Sequence, residues 1–258
     1  MNSQWAIITG GASGIGLAIA QDLAGQGVNL VLIDVHAHAF EAIQAEFQAL
    51  GVQCLCHQAD VTQIAALQAV QDDLAQRGIT ARLLVTAAGI LQPVEDIADF
   101  DLAVHERVWR VNYDGTYHAC KVWLEPMRAA GQGAILVVSS IMAYRSSPLL
   151  AYAPAKAALN SLVAGLAVSA AADGVRINAI APGFTLTKGL QQQIDSGQRD
   201  SSRVLSFIPM KRFVTTDEVA RTARFLLSDD ASAITGITLP VDCGWLAGTG
   251  WVTFKELP

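Results

Sequence analysis

Charge is scarce in this chain. Asp, Glu, Lys and Arg make up 16% of its 258 residues, against about 25% in an average soluble domain. The 17 basic residues are outnumbered by 23 acidic ones, for a net charge of −6. No basic face of the kind that tracks phosphates is evident, so a nucleic-acid partner is not expected. Cysteine is sparse too. Cys54, Cys56, Cys120 and Cys243 have no paired metal-ligand spacing and are too few to staple a small secreted scaffold. Reduced thiols, no metal site and a cytoplasmic location are the matching expectations. Residues Met1 to Trp5 lack the basic start and apolar stretch of a secretory signal. The most apolar segment, 157–172, is interrupted by Asn160, Ser161 and Ser169. It falls short of the ~20 residues that cross a bilayer, so no membrane association is expected. Repeats, low-complexity blocks and linkers are missing as well, which makes 1–258 a single domain.

Apolar residues, by contrast, form 52% of the chain. That excludes a disordered chain. With so little charge it also implies that other subunits cover part of the outer surface. Strand-like runs at 6–9, 28–33, 52–57, 83–86, 134–138, 176–180 and 237–241 alternate with helical patterns at 15–26, 40–50, 64–76, 102–130, 155–172 and 218–227. Pro126 is expected to kink the long helix late. Strands that read as continuous apolar runs, joined by helices, predict an α/β fold: a doubly wound parallel sheet of about seven strands with both faces covered. The least apolar stretch, 191–203, predicts an insertion over the carboxyl edge of the sheet, within a substrate loop or lid spanning about 184–209.

The first strand runs straight into Gly10-Gly11-Ala12-Ser13-Gly14-Ile15-Gly16. Glycines at 10, 14 and 16 allow a tight turn, close approach of backbone to a pyrophosphate, and a helix N-terminus aimed at the anion. Asp34 ends the second strand, where a carboxylate accepts hydrogen bonds from adenosine ribose hydroxyls and repels a 2′-phosphate. Val35 and His36 bring no permanent positive charge beside it, so NAD(H) is preferred over NADP(H). Asp60-Val61, after the third strand, is placed to flank the adenine; alternatively, Asp60 reads as a helix cap.

At this point the sequence resembles the short-chain dehydrogenase/reductase family over nearly its full length. The glycine motif is followed in order by Asp34, Asp60-Val61, Ala87-Ala88-Gly89, Asn112, Ser139-Ser140, Tyr152-x-x-x-Lys156 and Pro182-Gly183. Pro209 to Arg212, Thr235-Gly236 and Val241-Asp242 come later. Each motif is short, but their joint order is specific. The resemblance implies a Rossmann-type fold and cofactor contacts from Ala88, Gly89, Pro182, Gly183, Thr185 and Thr187. It also implies that Asn112 distorts its helix and anchors a water that links Lys156 to solvent. Three positions depart from the family: Thr86 stands where asparagine is common, Cys243 replaces a glycine, and Thr185 stands where an aliphatic residue is usual. Thr86 lacks the reach of an amide, yet keeps one hydroxyl to donate.

The chemistry also follows from the residues. Moving a hydride off an alcohol carbon requires moving the hydroxyl proton as well, and an unperturbed tyrosine, pKa about 10, is a poor base at neutral pH. Tyr152 and Lys156 are four residues apart and share a helix face. Tyr152 is thus the expected acid/base, with Lys156 lowering its pKa and binding the nicotinamide ribose. Ser140, at a strand's carboxyl end, is the candidate for holding the substrate oxygen. Ser140 precedes Tyr152 by 12 residues, one fewer than the family's usual spacing, and the resemblance implies Ser139 in that role if the missing residue falls nearer the strand.

The substrate is less legible. Pocket walls are expected from Leu91-Gln92-Pro93-Val94, 141–150 and 184–209, largely apolar, with Arg145 as one candidate anion contact. A neutral secondary alcohol or ketone is expected. Helix 155–172 is apolar nearly all round, which predicts burial on more than its sheet side. The resemblance implies a homotetramer, or a homodimer, built on this helix and the one containing Asn112. The leading expectation is an NAD-dependent alcohol dehydrogenase. Two readings compete: an NADPH-dependent carbonyl or 3-oxoacyl reductase, and an inactive dinucleotide-binding sensor or scaffold.

Overall fold

A computed structural model describes residues 4–197 and 200–248. The expected leaderless start (1–3) and positions 198–199 of the expected lid lie outside the described residues. In chain order the strands are β1 (Trp5–Thr9), β2 (Asn29–Asp34), β3 (Cys54–Gln58), β4 (Leu83–Thr86), β5 (Gly133–Val138), β6 (Val175–Pro182), β7 (Thr185–Leu186), β8 (Val214–Thr215) and β9 (Thr238–Val241). The α-helices are α1 (Gly14–Ala24), α2 (Phe40–Ala49), α3 (Ile64–Gln76), α4 (Leu102–Trp109), α5 (Gly115–Ala129), α6 (Tyr152–Ala170), α7 (Lys188–Asp195), α8 (Ser202–Ser206), α9 (Thr216–Leu227) and α10 (Trp245–Gly248).

Seven strands form one sheet in the order β3-β2-β1-β4-β5-β6-β9, and every neighbouring pair is parallel. The expected doubly wound fold is present. β1, β2 and β4 are buried on both faces, which explains their unbroken apolar runs. One apolar layer packs Ile19, Leu23, Phe47, Val219 and Leu226 from α1, α2 and α9 onto the sheet. The other packs Leu67, Trp123, Met127, Leu159 and Val163 from α3, α5 and α6. The chain winds outward from β1 to β3 and then returns to β4 on the other side of β1. Thr9 pairs with both Ile33 and Thr86. Such a switch point opens a crevice at the strands' carboxyl ends, where ligands of open α/β sheets bind.

Several expectations need correction. The helical stretch 102–130 is not one α-helix. A single wider turn, Arg110–Asp114, separates α4 from α5. Pro126 lies inside α5 without ending it. The apolar helix begins three residues earlier than expected and continues to Asp173, giving 22 residues with an 18-residue window of mean hydropathy 1.4. Among the described residues it is the one helix long and apolar enough to cross a bilayer. Its Leu159, Val163, Ala167 and Ala170 pack against the sheet. Its far side is not covered by the chain itself, since Val168 is 83% exposed. Thr86 is buried, and its hydroxyl has no partner among the described residues, so the hydrogen bond expected from it is not made.

Candidate active site

Every candidate catalytic and cofactor-binding residue lines one cleft of about 1230 Å³ at the switch point. Its floor is the glycine turn. Gly10 has φ +66°, and a Cβ there would sit 2.7 Å from the Ala88 nitrogen; a Cβ on Gly16 would collide with the Gly10 carbonyl. These contacts draw the β1–α1 turn tightly against Ala87-Ala88-Gly89. Ser13 precedes α1 in extended conformation, its side chain caps nothing, and the first turn holds no acidic residue. The helix N-terminus therefore faces the cleft with its donors free for an anion.

Asp34 closes the adjoining side. Its carboxylate accepts from the Ala12 backbone N–H at 3.1 Å and from that of His36 at 3.0 Å. The glycine turn thereby fixes the acid at the mouth of the cleft. Asp60 accepts from Thr62 N–H at 2.9 Å, so it caps a turn while also lining the cleft. The Val61 carbonyl lies 3.0 Å from Nδ1 of His118 on α5. Across the cleft, Thr185 donates to the Gly183 carbonyl at 3.1 Å, and the Thr187 hydroxyl caps α7 by accepting from Leu190 N–H. A tight glycine floor, uncapped helix donors and a fixed carboxylate at the second strand fit a dinucleotide.

The reacting end lies over β5 and α6. Ser140 Oγ accepts from Met142 N–H at 3.2 Å, which leaves its hydroxyl hydrogen available, and its side chain is near enough to Tyr152 to favour the ionised phenol. Ser139 is directed elsewhere, with its hydroxyl donated toward Asn160 Oδ1 at 2.7 Å and the Lys156 carbonyl at 3.2 Å. Of the two serines, Ser140 meets the tyrosine. Lys156 is 4% exposed. Its ammonium donates to the Val138 carbonyl at 2.8 Å and stands 5.5 Å from the centre of the Tyr152 ring.

Burial dominates the electrostatics. It pushes the Tyr152 phenol above its ordinary pKa, and the Ser140 side chain pulls partly the other way. The expected drop caused by Lys156 is not the governing effect in this state. Lys156 itself is brought down to about 8 by desolvation. Asn112 occupies the wider turn. Its amide donates to the Ile90 and Val108 carbonyls, both at 2.9 Å, while the Asn112 carbonyl accepts from Thr116 Oγ at 3.1 Å. The distortion expected at Asn112 is thus present. Asn112 Oδ1 is buried with no partner among the described residues.

The pocket wall differs from expectation at Gln92. Only Leu91 of the 91–94 segment lines the cleft, joined by Ile141, Met142, Leu149, Phe184, Leu190 and Gln193. Gln92 is buried, and its Oε1 accepts from the backbone N–H groups of Ala151 at 2.7 Å and Tyr152 at 2.8 Å. The signal for this bond was present in the sequence. Leu149-Leu150-Ala151 offers no capping side chain before Tyr152, so an acceptor had to come from elsewhere. Arg145 does not line the cleft; it donates to the Leu246 carbonyl at 3.4 Å.

Comparison with known proteins finds similarity over nearly the whole chain. Residues 10–246 match the family described as Enoyl-(Acyl carrier protein) reductase. D-beta-hydroxybutyrate dehydrogenase of Rhizobium meliloti (strain 1021) is 35% identical, with 94% of this chain and 98% of that protein covered. Cis-4-hydroxycyclohexanecarboxylate dehydrogenase of Sinomonas cyclohexanicum is 36% identical, covering 94% and 96%. Among solved structures, ElxO with NADP bound superposes with a TM-score of 0.91 at 29% identity, covering 95% of this chain and 99% of that one. A 3-oxoacyl-[acyl-carrier protein] reductase from Brucella melitensis with bound NAD gives 0.84 at 28% identity, covering 93% and 90%.

Proposed function

The chain belongs to the short-chain dehydrogenase/reductase family, and from that premise we propose an NAD(H)-dependent dehydrogenase that interconverts a secondary alcohol and a ketone. A dinucleotide-dependent oxidoreductase acting on alcohol or ketone groups is what the family match and the relatives establish. The preference for NAD rests on Asp34, whose fixed carboxylate faces the cleft with no cation beside it in sequence. The observation that carries the reading is the gathering of Ser140, Tyr152 and Lys156 in the same cleft as the glycine turn, with the Lys156 ammonium 5.5 Å from the Tyr152 ring centre.

Ser140 holds the substrate oxygen, and Tyr152 takes the hydroxyl proton during oxidation or returns it during reduction. Lys156 stabilises the phenolate and binds the ribose. Bound oxidised nicotinamide supplies a two-electron acceptor and a positive charge that favours phenolate. Gly10, Ser13, Gly14, Ile15 and Gly16 hold the pyrophosphate, with Thr187 on its other side. Asp34 reads the ribose, Asp60 and Val61 flank the adenine, and Ala88, Gly89, Pro182, Gly183 and Thr185 enclose the rest. Asn112 Oδ1, a buried acceptor otherwise unused, anchors a water behind Lys156.

The apolar wall from Leu91, Met142, Leu149, Phe184 and Leu190 suits a neutral, moderately apolar substrate, with 184–209 as its covering loop. Exposed Val168 on α6 and Leu102 on α4 favour assembly into a homotetramer through these helices. Net charge argues against nucleic acid, and four free cysteines suit a cytoplasmic location. A screen of alcohols and ketones, following cofactor reduction with NAD and NADP separately, tests the proposal. Turnover of a secondary alcohol with NAD supports it. Faster turnover with NADP would favour the reductase reading, and cofactor binding without turnover across the panel would favour a sensor or scaffold.

A further inference from the structure

The start of α6 has a complete account of its backbone donors, and one side chain from far away is part of it. A helix leaves its first N–H groups without intrahelical partners. Here Ala153 N–H reaches the Leu149 carbonyl at 3.0 Å, Ala155 N–H reaches Ala151 at 3.2 Å, and Pro154 has no N–H to satisfy. The remaining two, Ala151 and Tyr152, both end on Oε1 of Gln92 at 2.7 and 2.8 Å. Gln92 is 7% exposed. Its Nε2 has no partner among the described residues, so the acceptor oxygen is the part of the amide that is used.

The loop bearing Gln92 is itself anchored. Ala87-Ala88-Gly89 lines the cleft, and the next residue, Ile90, gives its carbonyl to Asn112. A single stretch after β4 thus touches the cofactor floor, the Asn112 turn and the first residue of the catalytic helix. We propose that Gln92 is a positioning residue for the reaction: by holding the backbone N–H groups of Ala151 and Tyr152 it sets where the Tyr152 hydroxyl stands relative to Ser140 and Lys156. This inference rests on the acid/base reading of Tyr152. Gln92 touches neither the phenol nor the cleft, and it acts through the backbone alone.

The consequence is specific. If the helix start shifts, Tyr152 loses alignment with Ser140, whose side chain favours the ionised phenol. Catalysis then falls and the phenol titrates at higher pH, while the cofactor's own contacts persist. Two variants separate the oxygen from the bulk of the side chain. Gln92→Leu keeps much of the volume and removes the acceptor, whereas Gln92→Glu keeps the acceptor and replaces only the unpartnered NH₂.

The experiment measures kcat, cofactor KM and the pH profile for both variants, using a substrate found in the screen. A near-ultraviolet difference titration of Tyr152, with oxidised NAD bound and Tyr152→Phe as the blank, follows the phenol without any substrate. We expect Gln92→Leu to lower kcat at neutral pH by at least about tenfold, to change cofactor KM by less than about twofold, and to raise the titration midpoint. Gln92→Glu should stay within about threefold of the parent on every measure. An unchanged midpoint in Gln92→Leu, or equal impairment of both variants, would overturn the proposal. If Gln92→Leu fails to fold, Gln92→Met, which also removes the acceptor oxygen and adds no charge, takes its place: an unshifted midpoint in that folded protein counts against the role. Failure of the acid/base reading is recognisable separately, as an active Tyr152→Phe enzyme.

Discussion

The ammonium of Lys156 lies 5.5 Å from the centre of the Tyr152 ring and donates to the Val138 carbonyl at 2.8 Å. The position is good for catalysis and costly for stability. Burial brings Lys156 from 10.5 to about 8. Between those values the unfolded chain holds the proton that the folded one has released, so stability rises with pH across that window. Below pH 8 the penalty is present in full, roughly 3 kcal/mol at about 1.4 kcal/mol per pH unit. The Val138 bond offsets about 1 kcal/mol of it.

Lys156→Met is therefore expected to be more stable than the parent by about 1–2 kcal/mol at pH 7, while losing activity. That advantage should fade as pH rises from 8 toward 10.5. Chemical denaturation of both proteins over this range checks it; a stability difference independent of pH would show that the lysine is not held against its charge.

Asp34 is bound to the glycine turn through Ala12 N–H at 3.1 Å. Asp34→Ala should raise the ratio of kcat/KM for NADP over NAD by at least about tenfold, since a charge that repels a 2′-phosphate is removed. The two cofactors are compared with one substrate. An unaltered ratio would mean that another group reads the ribose.

Thr86 is 2% exposed, and its hydroxyl is unpartnered among the described residues. An unsatisfied buried hydroxyl costs about 1–3 kcal/mol. Valine has nearly the same shape without the oxygen, so Thr86→Val should stabilise the protein by about 1 kcal/mol and leave cofactor affinity unaltered. Thermal and denaturant unfolding measure this. Destabilisation would indicate that the hydroxyl has a partner in solution.

What the sequence revealed, and what it did not, divides along local and distant contacts. The strand at 83–86 and the helix at 64–76 match their expected bounds because their apolar pattern and flanking residues are local. The wider turn at 110–114 needs the Ile90 carbonyl, supplied from the loop after β4, as well as the Val108 carbonyl within its own helix. No window of sequence around Asn112 contains that first partner. Helix α6 starts at 152, ahead of the expected 155, because proline is tolerated in a first turn and Gln92 supplies the missing cap. The cleft residues were legible as ordered motifs, and all of them face one cavity. The pair β7 and β8, two residues each, have no periodicity to detect.

The most direct test is Tyr152→Phe. It removes one hydroxyl from a ring packed over Lys156 and leaves the glycine turn untouched. General acid–base catalysis contributes roughly 10²- to 10⁴-fold. The account predicts a fall in kcat of that size, with the dissociation constant for NAD within about threefold of the parent by titration. A Tyr152→Phe protein that binds NAD and still oxidises the alcohol at close to the parent rate would contradict it.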